Sequence, residues 1–570
     1  MIGPSFGRGR RRAGRKRNVL RRALIPMLVI VALVLAACAP SAPAAVSPTA
    51  APAGSPAATA AGEQPKAGGE LVYIVTAEPP TFDAHQSTTF ATLQPISPHY
   101  SLLYKLDPAD NVSKVVPDAA DGMPQISADK LTWTIKLKSN VKFHDGKPLT
   151  AEDVVATYEK LRKPPTGTTS PRQGTLAVVD TITAQDPSTV VFKLKFPSGS
   201  LQAALASPWN YLYSAEKLKA DPTFYAKNIY GTGPFTFVEY VKGSHWAGKK
   251  NPNYHEAGKP YLDSYRAIFV GDVNRQTSAI QSRQAMIEFR GFTPQQRDTL
   301  SRALPNELAI QEGAWVCVNY IAFNTKKKPF DDARVRRALN LAIDRWTGGE
   351  ALSKQTIVKD VGGLMRPKGP FAMSDADLEK IPGFYRDNAK AVDEAKKLLA
   401  DAGVSNLTFN FHNRNVPTPY EPVAIFLINE WKKIGVTANH TVKETAAYQA
   451  DLRSKAFDVG LSFNCDFFDE PDLQLAKFVS VSKVGAAFNE SHYNDAKLDE
   501  MIEAQSRETD PAKRKALVGE IERYAMGEKA WMFPVIWWYR IIPYLSKVRG
   551  YRVGSNHYTT MDMANIWIAD

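Results

Sequence analysis

The stretch Val141-Lys142-Phe143-His144-Asp145-Gly146-Lys147-Pro148-Leu149-Thr150-Ala151-Glu152-Asp153-Val154 holds a strand end, a turn and a helix start within fourteen residues. Asp145-Gly146 is a turn signature, because Asp bonds its own backbone and Gly accepts a left-handed conformation. His144-Asp145 is therefore read as turn chemistry and not as an acid/base pair. Thr150 precedes Ala151-Glu152-Asp153, a hydroxyl at the N-cap with a carboxylate three residues on, which predicts a capping box and a helix from Ala151 to about Leu161. Strand patterns flank it. Leu131, Trp133, Ile135 and Leu137 alternate with polar partners, as do Val190, Phe192, Leu194 and Phe196, and both belong to one early lobe.

The same mixture continues along the chain. Asp331-Asp332 precedes the helical stripe Val335, Ala338, Leu339, Ala342 and Ile343. Asp510-Pro511 starts another helix with Leu517, Ile521 and Tyr524 on one face. Gly403 and Gly435 stand just past the stripes Val392/Ala395/Leu399 and Leu427/Ile428/Trp431, where a left-handed C-cap favours Gly. Strand and helix signals alternate without the regular beat of a barrel and without an internal period. The expectation is an α/β chain of several lobes.

The first residues obey different rules. Nine basic residues from Arg8 to Arg22 and no acid precede the apolar run Ala23–Ala37, the order of a signal peptide over 1–37. The run is about 15 residues, short of the roughly 20 a spanning helix needs. It ends in Leu35-Ala36-Ala37-Cys38, which resembles a bacterial lipobox, so Cys38 is the expected lipidation site and an acyl anchor on the outer side of a membrane is expected. An uncleaved transmembrane anchor is the competing reading. Residues 38–69 are nearly all Ala, Pro, Ser, Thr and Gly and read as a tether. Those nine basic residues supply nine of the formal +13 charges, leaving +4, so no nucleic-acid partner is inferred from the basicity. About 500 residues follow, enough for two or three domains. Cys317 lies in the strand-like Trp315-Val316-Cys317-Val318-Asn319-Tyr320 and is read by default as a buried thiol, with a disulfide to Cys465 as the alternative.

Several segments in order resemble the extracellular solute-binding proteins of peptide-type ABC importers. They are Leu131–Leu137 with Val141–Val154, Gly231-Thr232-Gly233-Pro234-Phe235, Asn251-Pro252-Asn253-Tyr254, Phe323-Asn324, Pro329–Leu339 with Ala342-Ile343-Asp344-Arg345, and Trp431-Lys432-Lys433-Ile434-Gly435-Val436. The resemblance covers residues 70–570. It implies an α/β, two-lobed periplasmic-binding-protein clamshell of the large, three-domain class with mixed β-sheets. By analogy lobe I takes 70–104, 200–312 and 530–570, the additional domain 105–199, and lobe II 313–529. It also implies a bound small solute or peptide, an ABC permease in the membrane as partner, a monomer, and neither catalysis, cofactor nor metal.

Ligand contacts are expected in Ser462-Phe463-Asn464-Cys465-Asp466-Phe467-Phe468-Asp469-Glu470-Pro471, after the strand-like Phe457–Leu461. In peptide-binding relatives this loop carries an aromatic, then an Asp that pairs with the peptide's α-ammonium, then an acid and Pro. Phe463 and Asp466 fall at those positions, with Asn464 between them. Phe stands where relatives have Trp, and an extra residue separates Asp466 from Glu470-Pro471. Arg414, after strand Leu407–Phe411, is a candidate clamp for a carboxylate. Thr88, Thr89 and Phe90 occupy the loop that in relatives offers backbone groups to an extended peptide. Where relatives show a Ser-Gly-Glu-Val-Asp-like turn after an Ala/Leu-rich helix, this chain has Ser282-Arg283-Gln284-Ala285-Met286-Ile287-Glu288. Oligosaccharides, opines and metal complexes stay open as ligands. A secreted hydrolase is the competing class, and no G-x-S-x-G or H-E-x-x-H after residue 37 supports it.

Overall fold

The computed structural model describes residues 63–107, 114–482, 489–556 and 561–570, all within the unit Pro56–Asp570. The proposed signal peptide and Cys38 lie outside the described residues.

The deciding stretch folds as its chemistry dictates. Gly146 takes φ +91° in a turn where the Phe143 N–H donates to the Lys147 carbonyl at 2.8 Å. The Thr150 N–H donates to Asp153 Oδ2 at 2.8 Å, which closes the capping box of helix Ala151–Arg162. Val154, Tyr158 and Leu161 of that helix pack on a four-stranded antiparallel sheet in the order Gln125–Ile126, Thr132–Lys136, Thr189–Leu194, Val179–Asp186. Trp133, Ile135, Val190 and Phe192 fill the core between them.

A second, five-stranded sheet runs Ile287–Glu288, Glu70–Val75, Ser264–Phe269, His245–Lys250, Phe235–Val241. Glu70–Val75 is parallel to both neighbours and the other pairs are antiparallel. The Gly231–Pro234 segment is a close approach of backbones. A Cβ on Gly231 would stand 2.1 Å from the His99 carbonyl oxygen, and one on Gly233 2.3 Å from the Tyr100 nitrogen. Only Gly is tolerated at that spacing.

The third sheet has six strands, ordered Val358–Asp360, Phe533–Leu545, Leu308–Phe323, Val459–Cys465, Thr408–Arg414, Thr437–Lys443. Helices Ala333–Leu341, Asn388–Asp401 and Tyr420–Lys432 build the core on one face, and Thr445–Ser454, Ala496–Arg507 and Pro511–Glu522 that on the other. Its two longest strands serve two cores. Leu545, Ile542 and Tyr544 pack with residues of the five-stranded sheet, whereas Phe533, Val535, Trp538, Trp315 and Ile321 pack within the six-stranded layer. Their pairing shifts register between Ala314 and Val318. Buried Arg540 sits beside that shift and donates to the carbonyls of Phe289 and Gly554, the latter at 2.7 Å.

Two expectations need correction. Cys317 and Cys465 are joined in a disulfide, so the buried-thiol default is wrong. They face each other directly in the antiparallel register of their strands, a relationship invisible when 148 residues separate them in sequence. In helix Pro511–Glu522 the inward face is Arg514, Val518, Ile521 and Glu522, and Leu517 is only half-buried. The buried Arg514 ion pair fixes that helix's rotation, which the apolar stripe alone does not reveal.

Candidate functional site

Strand Val459–Cys465 runs into a loop whose Phe467 and Phe468 pack with Leu106 and Ala203. Pleating sends its side chains to alternate faces. Phe463 and Cys465 lie at the edge of the core with Trp315. Asn464 faces the other way, is buried, and donates to the carbonyl and Oε1 of Gln474, each at 2.9 Å. Asn464 thus braces the loop with its amide already engaged, and it does not join the group below.

Asp466 is the first residue past the strand. Its N–H donates to the Val316 carbonyl at 2.9 Å, and its carboxylate accepts from the Phe467 N–H at 2.8 Å. Among the described residues no cation is within ion-pairing distance of that carboxylate. Burial pushes the Asp466 carboxyl up to about 6, while the Phe467 N–H and the charges of Arg172 and Lys477 pull it down.

Arg414 lies across the rings of Tyr420 and Phe463, 4.9 and 5.1 Å from their centroids. Its Nη1 donates to the Tyr420 hydroxyl at 3.0 Å and its Nη2 to Thr445 Oγ1 at 3.3 Å. Lys477, which the sequence reading missed, covers Phe463 as well, with Nζ 4.8 Å from the ring centroid and 2.5 Å from the Phe463 carbonyl oxygen. Burial lowers the Lys477 ammonium, the Arg414 charge adds to that, and Glu490 and Asp466 oppose it. Nothing in Leu475-Ala476-Lys477-Phe478 marks Lys477 as special. Only folding carries it back over Phe463.

A second group of candidate residues comes from the five-stranded region. Thr89 caps helix Phe90–Ile96, its Oγ1 accepting from the Ala91 N–H at 3.2 Å, and Thr88 is exposed beside it. The Arg290 guanidinium lies 5.3 Å from the Phe90 ring centroid. The charges of Arg290 and Arg414 both act on the Tyr420 phenol, which burial raises to about 12. The departing turn at Ser282–Glu288 helps to place Arg290. Buried Glu288 accepts from the N–H groups of Arg290 and Gly291 at 2.8 and 2.6 Å. Arg172, from the four-stranded region, donates to the Ser87 carbonyl and covers Trp209 at 4.1 Å. The structure therefore lays Arg414 over Phe463, leaves Asp466 just past the end of the same strand, and sets Phe90 beside Arg290.

Another polar cluster, Asp118, His255 and Glu256, has the makings of a metal site. A cationic side chain fills it, because Lys105 Nζ lies 3.3 Å from Asp118 and 2.9 Å from Glu256.

A fold of this kind, with two lobes and an added domain around a polar and aromatic meeting point, defines a periplasmic-binding-protein clamshell. It superposes on the DppA periplasmic binding protein of Helicobacter pylori, solved with the peptide STSA, at a TM-score of 0.75 and 21% identity, over 89% of this chain and 99% of that one. Residues 114–486 match the model of the bacterial extracellular solute-binding proteins, family 5. The chain belongs to that family; it is the solute-binding component of an ABC importer and not an enzyme. It is 27% identical over 512 residues to the oligopeptide-binding protein AppA of Bacillus subtilis, covering 85% of this chain and 88% of that one. It is 28% identical to the glutathione-binding protein GsiB of Pectobacterium atrosepticum, covering 78% and 86%.

Proposed function

We propose that the solute is a short peptide, held between lobe I (70–104, 200–312, 530–570) and lobe II (313–529) and passed to an ABC permease. The observation that carries this is a pair of opposite charges that form no ion pair among the described residues: a sheltered Asp466 carboxylate and an Arg414 guanidinium. A zwitterion answers both. The α-ammonium goes to Asp466 and the α-carboxylate to Arg414, each contact contributing about 1.5 to 3 kcal/mol when sheltered. Phe463 and Phe90 supply apolar surface for side chains, and the backbone at Thr88–Thr89 lines the path of an extended ligand. Contacts to both lobes favour closure, because ligand then binds the closed form better than the open one. The names of the AppA, GsiB and DppA relatives support a peptide over a sugar.

In this reading the domain at 105–199 rides on lobe I, the chain acts as a monomer, and Cys38 carries the lipid that keeps it beside its permease at high effective concentration. No helix among the described residues is long and apolar enough to cross a membrane. Native mass spectrometry of the protein as purified, followed by calorimetry with free, N-acetylated and C-amidated peptides, tests the assignment. Tight binding of the free form, weakened by either block, is expected; binding of oligosaccharides or opines with indifference to every peptide sinks it.

A further inference from the structure

Lys477 carries the next step. Its ammonium has three N–H donors, and one is directed at the Phe463 carbonyl oxygen 2.5 Å away. Among the described residues no carboxylate lies within ion-pairing distance of it. Glu490 is the acid that acts on it through space, and the Glu490 carboxylate is engaged by the Tyr320 hydroxyl. Lys477 and Arg414 thus press on the same Phe463 ring, at 4.8 and 5.1 Å from its centroid, two half-buried like charges with no carboxylate within ion-pairing distance of either among the described residues. Sheltering unpaired cations costs free energy, and a site that keeps two of them side by side is arranged for an anion that arrives from outside.

We propose that Lys477 is a specificity-determining residue that receives a second carboxylate on the ligand, so that the preferred solutes are acidic peptides. The inference rests on the peptide reading above. Once the α-ammonium has gone to Asp466 and the α-carboxylate to Arg414, the Lys477 ammonium still has no ion-pairing carboxylate among the described residues. An Asp or Glu side chain supplies the missing charge, giving a ligand with one ammonium and two carboxylates.

The test is calorimetry on the full chain with short peptides in matched pairs, Glu against Gln at each position in turn, at low and high salt. At one position the Glu member should bind about tenfold more tightly, as one sheltered charge-assisted hydrogen bond allows, with the preference shrinking in high salt. In Lys477→Gln, which keeps a donor for the Phe463 carbonyl, the ratio within that pair should collapse to about one. Equal binding of all pairs by the wild type overturns the proposal and leaves the peptide reading standing. So does a Lys477→Gln variant that weakens both members in parallel, the result of a purely structural lysine. If no peptide of either kind binds, the peptide reading fails and the proposal falls with it.

Discussion

Cys317 and Cys465 stand opposite each other on adjacent antiparallel strands, and the disulfide between them immediately precedes Asp466. The Asp466 N–H is bonded to Val316 on the partner strand, so the bridge and that hydrogen bond together pin the carboxylate to strand Leu308–Phe323. Peptide mapping without reductant should recover the two cysteines in one linked fragment. Replacing both by Ala should lower stability by about 2 to 4 kcal/mol in denaturant titration, because the bridge closes a long loop in the unfolded chain. It should also weaken peptide binding, since Asp466 loses one of its two anchors. Unchanged stability with two alkylatable thiols in untreated protein would overturn the link.

Asp466 itself should trade stability for binding. Its carboxyl is raised to about 6 in the folded protein, above the roughly 3.9 of an unfolded chain. The sign follows: the charged form is disfavoured by folding, so the cost is fully present above pH 6 and fades as pH falls toward 4. Asp466→Asn should therefore raise the melting temperature at pH 7.5, by the equivalent of about 1 to 2 kcal/mol once solvent access is allowed for. The gain should vanish near pH 4. Peptide affinity should fall at pH 7.5, and wild-type affinity should decline as pH drops through 6. A destabilised Asp466→Asn protein would show that the carboxylate is structural.

Much of this was legible from local chemistry. The capping box at Thr150, the turn at Gly146 and the stripe from Val335 to Ile343 depend on neighbours within a few residues, and each stands as written. Phe463, Asp466 and Arg414 were reachable through the family's pattern, and in the structure Arg414 lies over the Phe463 ring. Lys477, Arg290 and Arg172 were not, because each is assigned by contacts that close only when distant segments pack. Asn464 shows the opposite failure. Its position in the loop invited a ligand role, but strand alternation turns its amide toward Gln474.

The loop after Asp466 is held by buried charge. Arg514 donates to both Glu470 oxygens and to the Gly199 carbonyl at 3.1 Å, tying the site loop to the segment that leaves the four-stranded domain. Burial pushes the Glu470 carboxyl up to about 7 even with Arg514 beside it. Arg514→Met leaves that carboxylate buried and unpaired, and a loss of about 3 to 5 kcal/mol is expected at pH 8. Because the penalty belongs to the charged form, the gap to wild type should narrow at pH 5, where Glu470 is protonated. Urea titrations at the two pH values measure it, and a gap that is constant or wider at pH 5 would contradict the account.

Arg414 makes the sharpest prediction about the ligand's far end. Its guanidinium is already oriented, forked between the Tyr420 hydroxyl and Thr445 Oγ1 and stacked between two rings, so little side-chain freedom is lost when a carboxylate arrives. Lys has the charge but not the fork, so Arg414→Lys keeps the attraction and loses the alignment. For a peptide with a free C-terminus, Arg414→Gln should cost about tenfold to a hundredfold in affinity, and Arg414→Lys should recover only part of it. For the same peptide amidated at its C-terminus, wild type and both variants should bind alike, because the group that Arg414 reads is gone. Equal losses for free and amidated peptides would mean that Arg414 acts by holding Tyr420 and Phe463 in place, and the carboxylate would then have to be met elsewhere in the site.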